Sequence, residues 1–211
     1  MALFLTLSII ILLLSVIIHE VAHGYMALRF GDHTAENAGR LTLNPLPHID
    51  PIGTILLPIL LKLSGSPILF GWAKPVPINP LHFSDIKKGE ISVSLAGVGA
   101  NFGLALIGSI LYHLLISFYP NELLLALALY MTEINLVLTV FNLLPIPPLD
   151  GSKVLMAFLP YEYARNFLKY ERYSMLIFLA MWFIKIGNLS IMEWILETVV
   201  GFLRTLLGLS F

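Results

Sequence analysis

The sequence predicts an all-α polytopic membrane protein: a three-helix core, a C-terminal helical pair, and a small insert of β-strands and a re-entrant piece between the first and second spans. Three observations lead there. The 211-residue chain is 58% hydrophobic and only 12% charged, against roughly 45–50% and 25% in soluble domains. Residues 3–28, 91–118 and 123–144 form apolar runs long enough for a bilayer core, which takes about 20 residues to cross. Between the first two runs the pattern breaks into Pro, Gly and short alternating stretches such as RLTL, residues 40–43, which read as strands and turns.

Taken in order, the first eighteen residues carry no charged side chain. They lack a basic n-region and a small-residue cleavage pattern, so they read as a retained helix rather than a secretory signal. Within the insert, residues 52–63 are apolar but too short to span, as in a re-entrant or interfacial segment. The second span contains AGVGANFG, residues 96–103. Its glycines do not fit GxGxxG; Gly99 and Gly103 make a GxxxG step for close packing, with Asn101 as a polar contact or a support to a nearby site. Pro145, Pro147 and Pro148 end the third span, because they deny the backbone both helical continuation and amide donors. A polar connection rich in Tyr and Arg follows, then a helical pair at residues 175–186 and 191–207, packed on the other helices or lying at the interface. Ser190 and Glu193 stand in capping-box spacing before the second of these, and Glu193, Glu197 and Arg204 share one stripe. One membrane-embedded domain, residues 1–211, is expected, with its core at about 3–155 and its C-terminal helices at about 174–208.

A net charge of −1 leaves no electrostatic footing for nucleic acid. With no cysteine, disulfides and thiolate ligands are excluded, so a metal site has to use His and carboxylate. If each long segment crosses once, residues 29–90 and 145–173 share a side, carrying Arg29, Arg40, Lys62, Lys74, Lys87, Lys88, Lys153, Arg165, Lys169 and Arg172. The opposite turn, YPNE, has no Lys or Arg, which puts the basic side in the cytoplasm.

The motif HEVAH, residues 19–23, lies inside the first span. On a helix His19 and His23 are i and i+4, so both rings leave one face and reach one metal, while Glu20 lies about 100° round, beside that ion as a spare base. Two neutral imidazoles suit zinc, and catalytic zinc takes a third protein ligand with a fourth position open to water. In hydrocarbon such groups face a cavity or a partner. The third ligand has three candidates, Glu133, Asp150 and His113, of which Asp150 is best placed. It stands at the proline break, where unwound backbone is tolerated only if buried or lining a cavity, and Gly151 beside it permits close approach. Asn135 and Asn142, two turns apart, point the same way; Asn142 next to the break suits an oxyanion or a substrate carbonyl.

HEVAH in the first span together with NLLPIPPLDG at the end of a later one resembles the site-2 protease family of intramembrane zinc metalloproteases. GRLTLNPLPHIDPIGTILLP, GWAKPVPINP and SLAGVGANF extend the likeness to short microbial members, over roughly residues 15–155. The resemblance implies a three-helix catalytic core with one zinc per chain on His19, His23 and Asp150. It implies Glu20 as general base and acid, Asn142 as an aid to catalysis, and hydrolysis of peptide bonds in a membrane-protein or peptide substrate. A multi-pass protein of a prokaryotic cell membrane with its site toward the cytoplasm is then expected. The chain has no room for the PDZ or CBS domain that the family often carries. An extended substrate needs an edge, and the RLTLN and KPVPINP stretches offer Leu41, Thr42, Leu43, Val76 and Ile78 as candidates; Pro75, Pro77 and Pro80 equally suit a rigid connector. Two other functions fit membrane His and carboxylate groups: a metal transporter, and an inactive scaffold.

Overall fold

A computed structural model describes residues 1–64, 71–160, 163, 167 and 171–209. Among the described residues three helices are long and apolar enough to cross a membrane: α1 (Ala2–Arg29), then, after a short α2 (Thr34–Asn37) and α3 (Leu57–Leu63), α4 (Ile86–Phe118) and α5 (Glu122–Asn142). Each stops for a local reason. Gly31, at φ +97°, turns the chain after α1 so that Asp32 N–H returns to Ala27 C=O at 3.0 Å. Asp85 and Asn121 cap the starts of α4 and α5 by accepting from Lys88 N–H and Leu124 N–H. Helix α5 ends at Asn142, just ahead of the proline break and two residues short of the expected Leu144, and the chain restarts as α6 (Asp150–Phe158).

The core helix is α4, which packs against both α1 and α5. Its interior is polar where a soluble domain would be apolar. Ser8, Ser15, His19 and His23 of α1, Ser94, Asn101 and Ser109 of α4, and Thr132, Asn135 and Thr139 of α5 are all buried, while Leu3, Leu5, Ile9, Ile10, Ile107 and Ile110 are exposed. Apolar outside and polar inside is the distribution that hydrocarbon solvent selects. Small residues bring the helices together: a Cβ on Gly108 would meet Thr132 Oγ1 at 2.6 Å. Among the described residues nothing lies within 4 Å of a Cβ built on Gly99 or Gly103, whereas Gly97 and Gly108 meet neighbouring helices closely, so these two are the close-packing glycines there.

Among the described residues no strand forms between the first and second spans, which corrects the expected β insert. RLTL is irregular, because Asn44 and His48 fold back on it: Asn44 N–H donates to Thr42 Oγ1 at 3.1 Å and His48 Nε2 lies 2.9 Å from Thr42 C=O. The apolar piece is helical, a π turn over Pro51–Leu56 running into α3, started by Asp50, which accepts from Ile52 and Gly53 N–H. The C-terminal pair is present as α7 (Ser174–Phe183) and α8 (Ile191–Leu206), joined by a two-residue hairpin, β1 (Lys185–Ile186) and β2 (Leu189–Ser190), turned at Gly187 with φ +67°. The capping box forms as its spacing predicts. Helix α8 lies on α5, where Val200 joins Ala105, Leu136 and Val140 in one cluster. With 10 and 16 residues both are shorter than the about 20 that a span takes. Arg165 and Lys169 lie outside the described residues.

Candidate metal centre

Helix α1 carries His19 and His23 on its buried face, as i, i+4 spacing requires, with ring centroids 4.5 Å apart. Asp150, the first residue of α6, meets them from the far side of the break. Its Oδ2 lies 3.2 Å from His19 Nε2 and 3.1 Å from His23 Nε2, and the two Nε2 atoms are 2.9 Å apart. All three side chains are buried. The break can close this tightly because of Gly151: a Cβ there would run into the Leu143 carbonyl, and into Leu144 O at 2.7 Å. Gly97 does the same for α4, since its own Cβ would meet His23 Nε2 at 2.5 Å and His19 Cε1 at 2.6 Å.

Three electron-pair donors converge in a buried place where a cation between them would relieve their mutual repulsion, and among the described residues Asp150 Oδ2 has no hydrogen-bond partner. Tetrahedral zinc with bonds of about 2.0–2.1 Å asks for donor separations of about 3.3 Å. The observed 2.9, 3.1 and 3.2 Å are close to that, and two imidazoles with one carboxylate are a donor set that zinc takes with one position left open. The residues fit the ion.

Supports to these donors were not legible from the motifs. His23 Nδ1 lies 2.7 Å from Val93 C=O, which keeps Nε2 free as a donor. Lys153 Nζ is 3.3 Å from Asp150 Oδ1, the oxygen turned away from the histidines; its place at i+3 on α6 is the only sequence signal it gave. Glu20, half-buried, does not join the three donors; its Oε2 accepts from Val76 N–H at 2.7 Å.

The other candidates lie elsewhere. Glu133 pairs with Arg204 of α8 at 3.1 Å, and His113 Nε2 is 3.0 Å from the Leu207 carbonyl at the end of that helix. Asn135 donates to Ser15 Oγ at 2.9 Å and to Met131 C=O. Asn142 donates to Leu138 C=O, one turn back, with one of its two amide protons. Of the substrate-binding candidates, Leu41 packs beside Gly24, Thr42 is tied to His48 and Asn44, and Leu43 is exposed. Val76 is buried, and Ile78 packs on Ala27, Phe83 and Val93.

The profile of Peptidase family M50 matches residues 118–185, which include Asp150. A protein of Bacillus subtilis (strain 168), YwhC, is 38% identical over 187 residues, covering 85% of this chain and 81% of its own length. This chain belongs to peptidase family M50. Rip2 of Mycolicibacterium smegmatis is 31% identical over 192 residues, 90% of this M50 chain and 70% of its own. MJ0611 of Methanocaldococcus jannaschii is 32% identical over 141 residues, 66% and 63%. All three bear the name "Putative zinc metalloprotease". No solved structure matches this M50 protein. The site-2 protease resemblance and the all-α membrane fold therefore stand, and the chain is a membrane-embedded member of a metalloprotease family.

Proposed function

We propose that the protein is an intramembrane zinc metalloprotease that hydrolyses peptide bonds of transmembrane-segment substrates, as a single domain over residues 1–211. The observation that carries this reading is the meeting of His19, His23 and Asp150 donors within 3.2 Å, with a noncoordinating carboxylate, Glu20, next in sequence. His19, His23 and Asp150 hold one zinc per chain. Bound there, zinc supplies Lewis acidity, bringing the pKa of a water toward 7 and polarising a peptide carbonyl. Glu20 takes the proton of the attacking water and returns it to the leaving amine. Lys153 keeps Asp150 Oδ1 occupied, so that Oδ2 faces the histidines. Asn142 retains an amide proton for the substrate carbonyl or the oxyanion that develops on it.

The histidines lie roughly 9–15 Å from the Arg29 end of α1 at about 1.5 Å per residue. The excess of Lys and Arg on that side supports a cytoplasmic orientation. At this depth a helical substrate hides its amides, so it reaches the site only after local unwinding. Of the substrate-binding candidates Leu41, Thr42, Leu43, Val76 and Ile78, Leu43 is the exposed one.

The test is Glu20→Gln in purified protein, with a membrane-segment peptide as substrate and a chelator arm. Cleavage should stop on chelation and fall by about 10²–10⁴ in the variant, while bound zinc stays at the wild-type amount. A transporter or a scaffold would keep its behaviour in E20Q and show no chelator-sensitive cleavage.

A further inference from the structure

Residues 71–80, GWAKPVPINP, form a strap from the re-entrant turn to the end of α1. Besides Trp72, whose N–H goes to Gly53 C=O at 3.2 Å, three of its residues give their N–H groups to the body of the protein. Lys74 donates to His48 C=O at 2.9 Å, Val76 to Glu20 Oε2 at 2.7 Å, and Asn79 to Asp32 Oδ2 at 2.7 Å. Each of these residues precedes a proline, Pro75, Pro77 or Pro80. A residue before proline is held to extended backbone, and proline itself has a fixed φ and no N–H. The strap is therefore stiff where it bonds, and between Lys74 and Ile78 only Val76 has an amide to offer Glu20.

A second observation points at the same spot. Arg40 is buried, with 7% of its surface exposed, and its Nη2 donates to Lys74 C=O at 2.7 Å. Its Nε has no partner, and among the described residues no carboxylate pairs with it. A buried guanidinium spent on a backbone carbonyl is costly in energy, and what it fixes here is the residue two places before Val76. Beneath the strap, Gly24 lets Val76 and Leu41 close on α1: a Cβ on Gly24 would meet Leu41 Cδ2 at 2.5 Å and Val76 Cγ1 at 3.1 Å.

We propose that the strap is a positioning element for the general base: Val76 N–H holds Glu20 Oε2, leaving Oε1 to take the proton, and Arg40 sets Val76 through the Lys74 carbonyl. This rests on the assignment of Glu20 as base in a metalloprotease. It also gives the GRLTLNP and GWAKPVPINP stretches a shared task at the site. Arg40 is a positioning residue, since it acts on Glu20 only through the strap.

Two pairs of variants test it in detergent-purified, zinc-loaded protein. The probe is a quenched fluorescent peptide with one apolar segment of about 20 residues. Val76→Pro deletes the amide that Val76→Ala keeps, and Arg40→Met deletes the donor that Arg40→Lys keeps. The expected result is a kcat about tenfold or more lower in V76P than in V76A, and in R40M than in R40K. KM should stay within about threefold throughout, and zinc per chain should not change. Equal kcat within both pairs overturns the proposal. So does a loss carried by KM, which would make the strap a substrate-binding edge. If V76P does not fold, the Arg40 pair decides alone. Absence of chelator-sensitive cleavage in the wild type is a different failure, that of the metalloprotease reading.

Discussion

Gly97→Ala is the sharpest probe of the metal centre, because two physical terms predict opposite outcomes. In a helix interior Ala is favoured over Gly by about 1 kcal/mol, so at an ordinary position of α4 the change would stabilise. At Gly97 the new Cβ would lie 2.5 Å from His23 Nε2 and 2.6 Å from both His19 Cε1 and His23 Cε1. The rings cannot simply swing aside, since His23 Nδ1 is fixed to Val93 C=O at 2.7 Å and the Nε2 atoms are where zinc needs them. Overpacking of this kind costs about 1–3 kcal/mol. If the cost falls on the zinc-bound state, affinity drops about 5- to 150-fold. Competition against a chromophoric chelator measures this directly, and melting of the zinc-free protein reports the fold separately. Gly99→Ala, whose Cβ would meet nothing within 4 Å among the described residues, should leave zinc affinity alone and gain up to about 1 kcal/mol. A G97A protein that binds zinc within about twofold of wild type would refute the reasoning.

Two further outcomes are expected. Burial raises the Asp32 carboxyl pKa, but Thr34, the Asn79 amide and the His82 ring outweigh it and bring the pKa to about 2, below the ordinary 3.8. Its contribution is therefore complete above about pH 4 and lost as pH falls through 2; the melting-temperature gap between wild type and D32N should close over that window, and a gap constant from pH 6 to pH 2 would refute this. The ion pair of Glu133 with Arg204 at 3.1 Å, about a third exposed on each side, should make E133L or R204L alone destabilising by about 1 kcal/mol, with most of it recovered in the double variant. Single-variant losses that merely add in the double would show the pair to be uncoupled.

What the sequence made legible was whatever depends on short separations. The i, i+4 histidines, the capping box at Ser190 and Glu193, and the three spans all follow from periods of one to a few turns, and all are present. Asp150 was legible for a different reason. Few ionisable residues occur in so apolar a chain, and only this one stands at a break that must line something polar. The positions of Glu133 and His113 were not legible, because partners such as Arg204 and the Leu207 carbonyl lie 71 and 94 residues away. The failed strands have a local cause: RLTL alternates as a strand would, but Asn44 and His48 bond back to Thr42 and fold it into turns.

The deeper limit concerns backbone groups, which carry no residue identity. Val93 contributes to the centre through its carbonyl and Val76 through its amide; any residue but proline would supply the second, so no motif of side chains can announce it. Yet the amide leaves a trace in its neighbours. Prolines at 75 and 77 remove the competing donors on either side, and that pattern reads from sequence as a connector until the partner carboxylate is known. An apolar stretch where prolines leave a lone amide opposite a candidate base is thus a feature to look for. Its force here depends on Arg40: this buried guanidinium donates to the Lys74 carbonyl, two residues before that amide.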